Sequence, residues 1–406
     1  VKAVTPALAA FFSLVGFYTS LAALSPTPPV GYVFASRPAA ALLGAVLAGA
    51  AGVLAWRLLS ERARIAEPSG ALLGAWIGSA ALSSALGLDP ASGFAVVAVM
   101  LLTGVFHVAL VRFYAWPGVA ATLVATYLWT GLAAALAGLA MFAARRPAEL
   151  FALNNGRAAG VFVTANQFAA YLIALVFVAL GTTLASGGRL RLLAAATAAV
   201  AALALGFTVS LAALLGSAVA GTFYCAALGA RRTAAALAIV LIFGVAGAAL
   251  VPALRHNPAD SLDRLRIWQA GLRVAELFPL TGVGPMTYYR VYPDIRPPNG
   301  DLPGTFGALH PHDAYLSLAG ETGLAGLTAA AYGWLRFGRA FAAGIRAGTV
   351  RGRRFAFGVA AALVAVAVQG LFDTVGVVEM AFVWIPFTAL GLAAAKSGLP
   401  AGPGAA

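Results

Sequence analysis

One cysteine in 406 residues and a charged fraction of only 10% set the first limits on this chain. The lone thiol, Cys225, excludes an internal disulfide, and its place within an apolar run says nothing about redox compartment. With so little charge, no stretch is left that could fold as a separate soluble domain. No internal repeat is visible either, which weighs against a carrier built from inverted halves with matching broken helices.

What the chain does have is apolar sequence, 62% of it by composition. Runs of roughly twenty apolar residues are what a helix needs to cross about 30 Å of hydrocarbon. The pattern predicts an all-α, polytopic transmembrane bundle, one integral membrane domain over residues 1–406, with about twelve spans. Their expected positions are 5–24, 38–57, 70–88, 93–111, 117–144, 165–186, 190–206, 209–229, 233–252, 313–335, 355–373 and 377–395. The first is read as a span rather than a cleaved signal, because Leu21 to Pro29 makes a poor cleavage site. Clusters such as Glu67-Pro-Ser-Gly70 and Asp89-Pro-Ala-Ser92 punctuate the joints.

A net charge of +13 suggests a nucleic-acid partner until the arginines are placed. Arg57, Arg62, Arg64, Arg112, Arg189, Arg191, Arg231, Arg232 and the group Arg336 to Arg354 follow even-numbered spans, with Lys2 and Lys396 at the ends. On the expected span count all fall on one side, so the charge is a topology signal and both termini are expected to be cytoplasmic. The opposite side then holds 145–164 and a long loop segment, 253–312, between spans nine and ten. Arg157, Arg255, Arg264, Arg266, Arg273, Arg290 and Arg296 run against the rule there. Long loops tolerate such charges, but an anionic ligand is the other reason to find them.

Within that segment residues 262–278 project as an amphipathic helix. Arg266, Gln269, Arg273 and Glu276 form its polar face; Ile267, Trp268, Gly271, Leu272, Val274, Ala275 and Phe278 form the apolar one. Arg264 falls in the middle of the apolar face, where a guanidinium needs an anionic partner or must snorkel off the helix end.

His310-Pro-His-Asp313 precedes span ten. Pro311 suits a first helical turn, which places His312 at a helix N-terminus, a setting that attracts phosphate. A neutral imidazole there can remove a proton from a hydroxyl, although a histidine merely hydrogen-bonded at the interface reads the same way. His310, His312 and Asp313 with Asp373 or Glu379 form a loose metal-ligand pattern without the spacing of a defined site. Glu321 lies inside span ten, where a carboxylate is expected to pair structurally with Arg264 or another arginine. In the other outer patch, glycines flank Arg157 and let backbone approach a ligand, and Asn166 and Gln167 open a span that they could cap, or offer amides to a sugar hydroxyl.

Three pieces in order resemble the O-antigen ligase and polymerase superfamily of bacterial membrane glycosyltransferases. They are Arg157-Ala-Ala-Gly-Val-Phe-Val-Thr-Ala-Asn166; Arg264-Leu-Arg-Ile-Trp268 with Pro279-Leu-Thr-Gly-Val-Gly284; and His312-Asp-Ala-Tyr-Leu316 with Glu321-Thr-Gly-Leu-Ala-Gly326. The resemblance covers roughly residues 150–330. It implies transfer of a glycan from undecaprenyl diphosphate to an acceptor hydroxyl at the periplasmic face of the inner membrane, without nucleotide sugar, cofactor or metal. The acceptor is lipid A-core oligosaccharide in a ligase, or a growing glycan in a polymerase. It also implies catalytic roles for Arg157, Arg264 and His312. Arg266, Asn166, His310 and Arg255 are then candidates for substrate binding, and Glu321, Asp313 and Trp268 for structural support. Two departures stand out: Asp313 where the family often has Asn, and Leu211 after Ser210 where it often has Arg. Arg266 or Arg255 is the candidate substitute. The rival of another class is a lipid or solute transporter, which would bind an anion with the same arginines and need no proton acceptor.

Overall fold

The computed structural model describes residues 3–21, 37–65, 67–239, 258–295, 310–372 and 383–399, and side chains within these from 3–17, 41–65, 67–239, 265–295, 310–372 and 383–399. Every regular element among them is helical. In chain order they are α1 (Val4–Leu21), α2 (Arg37–Ser60), α3 (Ser69–Leu86), α4 (Pro90–Phe113), α5 (Val119–Ala144), α6 (Ala148–Leu153), α7 (Ala165–Ala185), α8 (Gly188–Thr208) and α9 (Leu211–Ala227). After a helical stretch at 231–239 come α10 (Pro258–Leu277), α11 (Tyr288–Ile295), α12 (Ala314–Ala347), α13 (Val350–Gln369) and α14 (Ile385–Ser397).

Seven of these are long and apolar enough to cross a membrane: α2 from Ala41, α3, α4, α5, α7, α8 and α13. Against the twelve or so expected, α1 and α9 are apolar but shorter, and most of the span expected at 233–252 lies outside the described residues. Helices suit this environment because each backbone group finds its partner within the segment. Hydroxyls do the same: Thr130, Thr182, Thr183 and Thr388 each donate to the carbonyl four residues back. The lone thiol Cys225 sits in α9.

The centre of the bundle is α7, flanked by α8, α13 and α5. It crosses α13 at a pair of glycines: a Cβ on Gly181 would stand 3.1 Å from the Cα of Gly358. Small residues of this kind let helices meet backbone to backbone where no hydrophobic effect draws them together.

Contacts between distant segments divide the bundle into two ends. At one end Ala158 donates to Phe207, Ala314 to Gly370 and Leu88 to Val283, all through backbone N–H groups. At the other, Arg336 pairs with Glu67 at 2.7 Å, Arg354 donates to the Leu184 carbonyl, and Arg57 lies over the Trp116 ring. Arg57, Arg336 and Arg354, which follow even-numbered expected spans, therefore lie at one end, and the segments of Arg157 and His312 lie at the other.

The helix expected at 313–335 is α12, and it is not continuous. Gly323 leaves helical geometry, with φ 61° and ψ −160°. A break at membrane depth strands carbonyls and N–H groups, and the Pro279–Gly284 loop supplies the partners. Val283 and Gly284 donate to the carbonyls of Gly320 and Glu321, while Leu324 and Ala325 donate to those of Pro279 and Leu280. The Ser83 hydroxyl lies 2.5 Å from the Thr281 carbonyl and 2.6 Å from that of Glu321, closing the joint from α3. Such an approach requires glycine on both sides. A Cβ on Gly282 would stand 2.3 Å from the Glu321 carbonyl carbon, and one on Gly323 2.5 Å from that of Leu280.

A test follows from that fit. Gly282→Ala combines a left-handed φ of 68° with a backbone clash, and should cost more than about 2 kcal/mol, seen as a lower melting temperature in detergent. Gly49→Ala, in α2 with nothing within 4 Å of the new Cβ, should be neutral or stabilising by up to about 1 kcal/mol.

Candidate active site

The segment carrying Arg157 is built around Asn154, whose side chain is buried. Its amide nitrogen donates to the carbonyls of Leu150 and Val163, and its oxygen accepts from Ala165 N–H at 2.7 Å. One amide thereby closes the turn from α6 to α7. Thr164, not Asn166 or Gln167, is the N-cap of α7, and Gln167 completes a reciprocal capping box with it. Asn166 is left to face Arg157: its Oδ1 lies 3.5 Å from Nη1, while Arg157 Nε donates to the Asn154 carbonyl at 3.2 Å. Both flanking glycines, Gly156 and Gly160, take left-handed backbone, with φ 73° and 57°. Gly160 lies under the Phe168 ring, 3.0 Å from where its Cβ would be. Its small size is used by that ring rather than kept for a ligand.

A shallow surface cleft runs along this segment. Arg157 and Arg146 line it together with Met141, Phe142, Leu150 and Phe151. Arg146, which the sequence analysis did not single out, shares this cleft with Arg157.

The histidine segment differs from expectation in one respect. The helix begins at Ala314 with Asp313 as its N-cap, so Pro311 is not in the first turn and His312 lies just outside the helix, at φ 54°. The cause is the Asp313 carboxylate, which accepts the N–H groups of Tyr315 and Leu316, each at 2.8 Å. Ala314 N–H goes to Gly370, and Ser317 N–H to the Asp313 carbonyl. The anion held by this helix terminus is its own aspartate, and no first-turn N–H remains for a phosphate. Asn caps about as well as Asp, which makes the departure at 313 a mild one. Burial raises the Asp313 pKa against the pull of its two donors.

His310 and His312 stand edge to face with ring centroids 4.5 Å apart, both half-buried. Trp268 of α10 reaches the His312 carbonyl through Nε1 at 3.5 Å. Next along α10, Gly271 admits Pro311, whose Cβ lies 3.1 Å from a Cβ built there. Arg264 occupies the helical position one turn before Trp268; its side chain and all of Arg255 lie outside the described residues. Arg266 is half-buried, and the polar face continues through Arg273, paired with Glu276 at 3.2 Å. The wheel is corrected at one point: Leu272 is 52% exposed, and Ala270 is buried in its stead. α10 is packed on two sides, by Pro311 and Leu316 against Gly271 and by Tyr288 and Tyr292 in a small core with Ala270 and Val274.

Glu321 is 4% exposed at the break in α12. Burial first, then Tyr292 and Glu321, push the Tyr288 phenol pKa up. Among the described residues no three His, Cys, Asp or Glu side chains cluster; Asp373 and Glu379 lie outside them.

The two halves meet at the C-terminal end of α13. Gln369 Nε2 donates to the Asn166 carbonyl at 3.0 Å, and the next residue, Gly370, accepts from Ala314 N–H at 2.7 Å. The loops bearing Arg157 and His312 are thus fastened to adjacent residues of one helix end. Residues 168–331 match the family model described as O-Antigen ligase. The chain carries an O-antigen ligase domain. The match includes Arg264, His312 and Glu321, takes up less than half of the chain, and leaves Arg157, Arg146 and Gln369 outside. No curated protein matches the chain. The histidine motif and the Arg264–Gly284 motif fall inside the matched stretch, and the Arg157–Asn166 motif lies just before it.

The roof of the domain is pinned from the side. Arg290 of α11 meets Asp89, the N-cap of α4, at 2.6 Å. Hydrogen bonds from the Ser92 hydroxyl and backbone N–H hold the Asp89 carboxyl below its ordinary pKa, and Arg290 adds to them. A depressed folded pKa means that the clamp is present above the ordinary carboxylate range and is lost as pH falls through the lowered value. Asp89→Asn at neutral pH should reproduce the acid effect, a few-fold faster amide exchange over residues 288–295 with residues 165–185 unchanged.

Proposed function

We propose that the protein is a glycosyltransferase that moves a glycan from undecaprenyl diphosphate to an acceptor hydroxyl. The end of the bundle bearing Arg157 and His312 is its periplasmic face, and the arginine-rich end and both termini face the cytoplasm. One observation carries this reading: Arg157 and His312 belong to segments fastened to neighbouring residues of a single helix end, on the side where cations are least expected.

A guanidinium fork is suited to bind phosphate oxygens, and Arg157 and Arg146 present two beside apolar walls suited to the polyprenyl chain. Arg264 and Arg266 belong to α10, which packs beside the histidine segment through Trp268 and Gly271. As the acceptor oxygen attacks the anomeric carbon, the bond from that carbon to the diphosphate breaks and its electron pair leaves with undecaprenyl diphosphate. The arginines stabilise the charge that develops there, without calling on a metal ion. His312 takes the acceptor proton. Attack opposite the leaving group inverts the anomeric centre. The acceptor is lipid A-core oligosaccharide, which makes the protein a ligase; chain extension with the same donor would make it a polymerase.

The test is reconstitution in liposomes with an undecaprenyl-diphosphate glycan and each acceptor. His312→Ala should lower transfer by about 10²–10⁴-fold, the range for loss of a general base, with donor binding kept. Arg157→Ala should weaken donor binding. Transfer unaffected by His312→Ala, or transbilayer movement of the donor without transfer, would instead favour a transporter.

A further inference from the structure

Gln369 lies at the last turn of α13 with 1% of its surface exposed. Its amide nitrogen is engaged with the Asn166 carbonyl, and its Oε1 is buried with no hydrogen-bond partner among the described residues. The assignment of the two amide atoms is unambiguous, because a backbone oxygen can only accept. A fold selected for stability alone would place an apolar side chain here. Asn166 lies in the first turn of α7, so its carbonyl already has a helical N–H to accept and does not depend on the glutamine. What the amide does contribute is position. It grips the residue whose side chain faces Arg157, from a helix whose next carbonyl holds the first residue of α12, two places after His312. The backbones are also held close, since Gly216 of α9 packs on Ala365 and Gln369, and Gly370 on Ala314.

We propose that Gln369 is a positioning residue, setting Arg157 through Asn166 at a fixed place relative to His312. The proposal rests on the transfer reaction proposed above. It assigns Gln369 no contact with the reacting atoms.

The test uses the full-length protein in liposomes, with an undecaprenyl-diphosphate glycan and a lipid-linked oligosaccharide acceptor. Gln369→Met keeps the volume and removes both the donor and the orphan acceptor. Its melting temperature should be unchanged or higher, while kcat/KM for the glycan donor falls about tenfold, the scale of a small misplacement. Combined with Arg157→Lys, it should add little to the effect of the lysine alone, because the two act through one group. Gln369→Glu supplies a chemical signature. The protonated carboxyl can donate to the Asn166 carbonyl and the carboxylate cannot, so activity relative to wild type should fall as pH rises. Wild-type kinetics in Gln369→Met would overturn the proposal, as would a loss that tracks a lower melting temperature or adds independently to Arg157→Lys. If Arg157→Ala and His312→Ala leave transfer intact, the reaction assignment falls and this proposal with it. If they abolish transfer and Gln369→Met does not, only the positioning role falls.

Discussion

A helix that ends near a membrane surface leaves carbonyls that lipid cannot satisfy, and α13 solves this with N–H groups borrowed from elsewhere. Gly370 takes the N–H of Ala314, the first residue of the helix that follows His312. The preceding residue reaches the other way, to the first turn of α7. One helix end thereby holds two segments more than a hundred residues apart in sequence, one through its terminal carbonyl and one through a side-chain amide. One of these links is backbone to backbone and the other is made by a side chain, so the site depends on both.

The same economy appears where α12 is interrupted. Four backbone groups that a continuous helix would pair with one another in two hydrogen bonds are each bonded instead to the Pro279–Gly284 loop. That loop leads from α10, which presses Trp268 and Gly271 against the His312 segment. A break in one helix anchors the amphipathic helix that covers the site, and α11 is tied down in turn by Arg290 and Asp89. The glycine-rich loop is packed against the backbone of α12, which leaves it no room to cradle phosphate. With the first turn of α12 also saturated by Asp313, the work of holding an anion falls to guanidinium groups.

Much of this was legible before any coordinates. Apolar runs located the helices because hydrocarbon thickness leaves few alternatives, and arginine placement divided the two ends because charge is costly to move across a membrane. Order and spacing of the three motif pieces pointed to the family. Tertiary contact decided the rest. Whether Pro311 or Asp313 opens α12 depends on a carboxylate folding back on its own backbone, and helical periodicity cannot register that. Leu272 and Ala270 exchanged roles because α10 is packed from two directions, where a wheel assumes one. Thr164 displaced Asn166 as the cap of α7 through its reciprocal bond with Gln167. Gln369 and Arg146 had weaker signals: a lone amide in an apolar span, and an arginine on the disfavoured side. Their partners are distant in sequence or across a loop, so only the fold makes the signals specific.

Central to this account is a lipid diphosphate held between the Arg157 and His312 segments at one end of the bundle. A structure of the protein in a lipid nanodisc with bound undecaprenyl diphosphate tests that most directly. The account predicts both phosphates in the cleft of Arg146 and Arg157, with the leaving oxygen turned toward His312. Phosphates found at the opposite end, beside Arg336 and Arg354, would contradict it.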